Sequence, residues 1–101
     1  MRSNPLLATR ILRTDLGITR FGFATGRVLG SAVVRNRVRR RLREAIRSLG
    51  PSVRPGWDVL VIARPAIVGA DHRAVGQALE RLLQRGGVVA GTSDEAETKR
   101  G

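Results

Sequence analysis

Ser31-Ala32-Val33-Val34-Arg35-Asn36-Arg37-Val38-Arg39-Arg40-Arg41-Leu42-Arg43-Glu44-Ala45-Ile46-Arg47-Ser48-Leu49 is the stretch on which the fold turns. Val34, Val38, Leu42, Ala45, Ile46 and Leu49 recur at helical spacing and form one apolar stripe. Ser31 is a residue type that caps a helix start through its hydroxyl, and Gly50-Pro51 stops the helix after Leu49. At about 100° per residue, Asn36, Arg39, Arg40, Arg43 and Arg47 project opposite the stripe, with Arg35 and Arg37 at its flanks. One helix thus carries a core face and a dense cationic face.

Something apolar must cover the stripe, and the flanking sequence supplies strands. Leu6 to Leu12 reads as a short strand, and Thr19 to Thr25 alternates, with Phe21, Phe23 and Thr25 on one side and Arg20, Gly22 and Ala24 on the other. The link Arg13 to Ile18, with Asp15 and Gly17, reads as a hairpin connection, so the two strands are expected to pair antiparallel. Gly26 to Gly30 is a glycine-bounded connector to the helix. After Pro51 to Gly56, the run Trp57 to Arg64 contains Val59-Leu60-Val61-Ile62, β-branched and too short for a helix, and predicts a central strand. A second helix is predicted over Asp71 to Arg85, with Asp71 as N-cap, an apolar side of Val75, Ala78, Leu79, Leu82 and Leu83, and Gly86-Gly87 as the stop. The order strand, strand, helix, strand, helix is an α+β arrangement. It fits one domain over residues 1–90, followed by a polar tail, 91–101, expected to be disordered.

Composition limits what such a domain can do. The 101 residues suffice for a single core, and the absence of cysteine removes disulfides, zinc fingers and thiol nucleophiles. No apolar run is long enough to span a membrane, and Arg10 interrupts any signal-peptide core, so a cytoplasmic protein with no membrane partner is expected. The formal charge is +11, and Lys99 is the only lysine among 19 basic residues. Arginine favours planar, bidentate contacts to phosphate and stacking on bases, so nucleic acid is the expected polyanion. Charged helical faces are often merely solvated, but such faces mix signs. Here only Glu44 stands against the arginines, and each like-charge pair costs a few tenths of a kcal/mol. His72, the sole histidine, has only adjacent Asp71 as a carboxylate neighbour and reads as a helix-start surface residue, not a general base. Glu44, Asp58 and Glu80 are scattered acids, better suited to pairing with arginines than to holding magnesium.

Two motifs then narrow the class. Phe21-Gly22-Phe23, a glycine-bounded link, and Ala32-Val33-Val34-Arg35-Asn36-Arg37-Val38-Arg39-Arg40 with Leu42-Arg43-Glu44 together resemble the signature of the bacterial ribonuclease P protein family. Gly56-Trp57-Asp58-Val59-Leu60-Val61-Ile62-Ala63-Arg64-Pro65 is similar to the same family's strand, and the likeness runs from about Leu7 to Gly87. The resemblance implies a small α/β sandwich with a mostly antiparallel central sheet, its arginine-rich helix in a left-handed βαβ crossover. It also implies a protein subunit without catalytic residues that assists a catalytic RNA in removing the 5′ leader of precursor tRNA. Arg27, Arg35, Asn36, Arg37, Arg39, Arg40, Arg43 and Arg47 would meet the RNA. Asn36 would orient its neighbours, since its amide both donates and accepts. Phe21 and Phe23 would face a leader cleft, although ordinary core packing is an equal reading of Phe21. Magnesium would act through the RNA, with no cofactor bound by the protein alone.

The likeness has departures. Family members usually begin with a further helix that walls the leader cleft, and here the chain starts almost at the first strand. The reading is that Met1 lies downstream of the true start and that apolar surface around Leu7, Ile11, Phe21 and Phe23 is left open. The basic pair before the helix is reduced to Arg27 followed by Val28, and Ser31 stands where lysine is common. A general RNA-binding or ribosomal protein is the alternative. A DNA-binding helix module fits the strand content poorly.

Overall fold

β4 (Trp57–Ala63) is the strand around which the rest is organised in the computed structural model, which describes residues 1–90. The tail expected over 91–101 lies outside the described residues. Before β4 come β1 (Arg2–Ser3), β2 (Leu7–Arg13), β3 (Arg20–Ala24) and helix α1 (Ala32–Leu49), and after it helix α2 (His72–Arg85). Strand and helix limits agree with the sequence reading to within a residue or so, because capping and breaking residues stand at each end. Ser31 Oγ accepts from Val34 N and Asp71 Oδ1 accepts from Ala74 N, as N-caps do.

The pairing differs from the expected hairpin. β2 and β3 do not pair: β4 lies between them, antiparallel to β2 and parallel to β3, in the order β1-β2-β4-β3. The most apolar, β-branched strand takes the doubly paired position, where both edges are satisfied. The link after β2 therefore straddles the start of β4. Thr14 N donates to Gly56 O at 2.8 Å and Gly56 N donates to Ile18 O at 3.1 Å. Gly56 has φ +94, and a Cβ there would sit 3.3 Å from Thr14 O, so glycine is needed at this crossing. α1 is the crossover joining parallel β3 and β4.

Strand β1 carries no signal in its two polar residues. Asn4 makes it possible: its Oδ1 accepts from the backbone N–H of Leu6 and Leu7, turning the chain back so that Arg2 pairs with Thr9 and Ser3 with Ala8.

Both helices cover one face of the sheet. Leu7, Val61, Leu42, Leu79, Leu82 and Leu83 are almost wholly buried there, where β2, β4, α1 and α2 meet. Parity along the strands decides what remains in water. Phe21 is paired with Val59 and Phe23 with Val61, so both rings lie on the helix-covered face and pack, half-buried, against the core. Of the four residues expected to border open apolar surface, Leu7 is 0 % exposed, whereas Ile11, Phe21 and Phe23 are half-buried and keep part of their surface in water. The opposite face carries Arg10, Leu12, Gly22 and Leu60, and there Leu12 is 66 % and Leu60 38 % exposed.

Candidate nucleic-acid interface

Helix α1 presents most of its charge where the spacing predicts, with Arg39, expected on the outer face, the exception. Val38, Leu42 and Ala45 are buried against the sheet, while Asn36, Arg37, Arg40, Arg43 and Arg47 are exposed along the outer face. The first turn contains no acidic residue, so the positive end of the helix dipole adds to the arginines instead of being neutralised. The chain enters the helix through Gly30, whose φ of +126 with ψ −149 is open in practice only to glycine. Just before it, Arg27 stands exposed in a short 3-10 turn, Arg27–Leu29, while Leu29 anchors that turn in the core. Arg27 thereby lies at the cationic end of the helix.

Arg39 is placed differently from its neighbours. It lies at the flank of α1 towards the end of β3, half-buried, and donates to Thr25 Oγ1 at 2.7 Å and to Asn36 Oδ1 at 3.2 Å. Asn36 thus orients an arginine, as its amide chemistry allows, and a preset guanidinium loses less freedom on meeting an anion. Thr25, only 9 % exposed, is the acceptor that sequence reasoning did not single out. The contact spans 14 residues, and nothing local signals it. Beside it, Arg35 Nε is buried without a hydrogen-bond partner. Arg41 turns the other way and donates to Ala70 O at 2.9 Å, tying α1 to the segment before α2.

Phe21 and Phe23 lie on the helix-covered side of the sheet, half-buried, with part of each ring against the core. Among the acids, Asp58 is engaged by a bidentate pair from Arg20, at 2.8 and 2.7 Å, across the parallel β3–β4 register. Those hydrogen bonds hold the Asp58 carboxyl below its ordinary range. Glu44 and Glu80 lie on separate helices, and the described residues contain no group of three potential metal ligands. The arrangement is one of fixed and mobile donors for anionic oxygens.

The family model described as Ribonuclease P matches residues 2–87. The ribonuclease P protein component of Roseiflexus castenholzii is 49 % identical over 83 residues, covering 81 % of this chain and 68 % of that protein. That of Symbiobacterium thermophilum is 46 % identical over 88 residues, covering 86 % and 76 %. Among solved structures, the RNase P protein from Thermotoga maritima superposes with a TM-score of 0.78 at 26 % identity over 83 % of this chain and 80 % of that one. The Staphylococcus aureus RNase P protein gives 0.79 at 24 % identity over 87 % and 81 %, a likeness of fold. With its arginine-lined helix and its sheet both inside the matched span, the chain belongs to the ribonuclease P protein family.

Proposed function

We propose that this chain is the RNA-binding subunit of ribonuclease P, which holds the catalytic RNA through α1 and helps it act on precursor tRNA. The observation that carries this reading is the donor-rich outer face of α1, with Glu44 its sole acid: exposed Arg37, Arg40, Arg43 and Arg47, an Arg39 preset by Thr25 and Asn36, and an Arg35 Nε with no acceptor. A-form RNA offers phosphate and 2′-hydroxyl oxygens at its surface, which suits a row of guanidinium groups. The chain supplies no catalytic side chain in this reading. Its scattered carboxylates do not fit a magnesium site, so magnesium enters with the RNA.

The 5′ leader would lie on the open face of the sheet. Leu12 and Leu60 offer apolar floor for unstacked bases there, and Arg10 offers a donor for a phosphate. Phe21 and Phe23 support that floor from behind. Reconstitution tests the reading: a trace of the protein should raise cleavage of precursor tRNA by the catalytic RNA at low magnesium. A general RNA-binding or ribosomal protein would bind RNA and leave that cleavage unchanged.

A further inference from the structure

Where β4 begins, strand β1 and the last turn of α2 frame a pocket of about 260 Å³, lined by Met1, Arg2, Thr9, Ile11, Trp57, Arg85 and Gly86. Its polar chemistry is one-sided. Guanidinium and indole N–H groups can only donate, and no carboxylate lines the pocket. The ion pair of the described residues joins Arg20 to Asp58, so neither Arg2 nor Arg85 is neutralised by an acid among them. The end of α2 does not supply the missing acceptors either: the carbonyls of Leu82, Leu83 and Gln84 already accept from Gly86, Val88 and Gly87 N–H.

Thr9 is the second, independent sign. It faces the helix-covered side beside Arg2 in the β1–β2 register, is 1 % exposed, and its hydroxyl has no partner. Buried hydroxyls are ordinarily paired, and valine would fill this strand position without leaving a polar atom unmatched. Arg13 lies over the Trp57 ring at 5.0 Å, which fixes the indole and brings a third guanidinium to the same end of the sheet. This pocket belongs to the β1 side of the sheet, whereas Arg39 and Thr25 lie at the β3 side, the opposite edge.

We infer that Arg2, Arg85, Thr9 and Trp57 form a second phosphate site, remote from the arginine face of α1, that takes a backbone phosphate of an RNA chain. The occupant's being RNA rests on the RNA-binding reading above; the phosphate chemistry does not. Two separated sites would let the domain grip RNA on both sides of the sheet.

Trp57 is the only tryptophan, so its fluorescence reports on the pocket directly. The full chain is titrated with inorganic phosphate at constant ionic strength. A saturable change is expected, retained in R40A/R43A and weakened about tenfold or more in R2A/R85A, the loss expected when charge-assisted hydrogen bonds to an anion are removed. Thr9→Val should weaken phosphate binding while raising the melting temperature in phosphate-free buffer, because it removes an unmatched hydroxyl. No saturable change, or one that survives in R2A/R85A with the fold intact by circular dichroism, overturns the site. In the second arm, R2A/R85A should flatten the salt dependence of binding to the catalytic RNA by about one unit per phosphate released. A normal salt slope together with abolished phosphate binding overturns the RNA assignment and leaves a site for free phosphate.

Discussion

Arg39 donates to the hydroxyl of Thr25, 14 residues earlier, and so fixes the third turn of α1 to the end of β3. Asn36 holds the same guanidinium from within the helix. The arginines of α1 thus divide into those held by protein acceptors, Arg39 on Thr25 and Asn36 and Arg41 on Ala70, and exposed ones such as Arg40 and Arg43 that are free to follow the RNA backbone.

That division separates two kinds of variant. Arg40→Ala and Arg43→Ala should weaken binding to the catalytic RNA and flatten its salt slope by about one unit for each phosphate no longer neutralised. Thr25→Val and Asn36→Ala remove no positive charge, so they should weaken binding by about tenfold at most with the slope unchanged. All four should fold, since none removes a side chain of the buried stripe Val38, Leu42 and Ala45. Filter binding across a salt series reads both quantities. A flattened slope in Thr25→Val would show that the hydroxyl does not act through Arg39.

The crowding of guanidinium groups on α1 also has a stability consequence. The outer face from Asn36 to Arg47 has Glu44 as its sole acid, and the helix lacks an acidic residue in its first turn, so self-repulsion is not offset locally. Anions that bind the native state stabilise it by mass action. The melting temperature should be higher in sulfate than in chloride at matched ionic strength, and the difference should shrink in Arg40→Ala/Arg43→Ala. Equal melting temperatures in the two salts would count against an anion-binding face.

The elements are legible in the sequence because each is bounded by residues with a local mechanism: Ser31 and Asp71 as caps, Gly50 and Gly86-Gly87 as stops, Pro65 after β4. Strand pairing is not. The hairpin signal in Arg13 to Ile18 is local, while the insertion of β4 between β2 and β3 depends on a strand more than 30 residues downstream. The face of α1 is legible from its period, but which arginine is held and which is free is not. Arg39 and Arg40 are adjacent and chemically identical, and the tertiary neighbour Thr25, with Asn36 one turn back, distinguishes them. β1 escapes sequence reading because a two-residue strand carries no period, and its cause, the turn at Asn4, depends on side-chain hydrogen bonds.

Asp58 gives a prediction in pH. Its carboxyl is held below the ordinary range by hydrogen bonds from Arg20, so the unfolded chain takes up the proton at higher pH than the folded one. The stabilisation is fully present above the unfolded carboxylate value and is lost as pH falls through the lower folded one. Asp58→Asn should therefore lower stability near neutrality and remove part of the decline in acid. Urea midpoints from neutral pH down into the acid range would read this. Parallel curves for the two proteins would mean that the pair is too solvent-screened to matter.

The glycine before α1 sets how the arginine face is entered. At φ +126 and ψ −149, Gly30 occupies a conformation that side chains rarely adopt, and a Cβ there would meet Val34 at ordinary contact distances near 3.6 Å. The obstacle is thus the backbone and not space, and Gly30→Ala should cost on the order of 1–3 kcal/mol. A substitution at exposed Gly69, where φ is not positive and no atom lies within 4 Å, should cost much less. Chemical denaturation of both variants measures the difference, and equal stabilities would show that the Gly30 turn relaxes freely.

The two faces of the sheet separate a structural from a ligand-binding role for its apolar residues. Phe21 and Phe23 pack against the core, so Phe21→Ala should destabilise by roughly 2 kcal/mol, less than the 3–5 of a fully buried ring. Precursor and mature tRNA should lose affinity alike once the variant is measured in its folded range. Leu12 and Leu60 lie on the uncovered face, 66 % and 38 % exposed, so Leu12→Ser/Leu60→Ser should cost less stability than truncating a fully buried core residue. If the leader rests there, the double variant bound to the catalytic RNA should lose preference for precursor over mature tRNA by several-fold, at about 25 cal/mol for each Å² of apolar area that the leader no longer covers. Competition binding with the two tRNAs decides between them. A preference that disappears in Phe21→Ala and persists in Leu12→Ser/Leu60→Ser would move the leader from the open face to the helix side of the sheet.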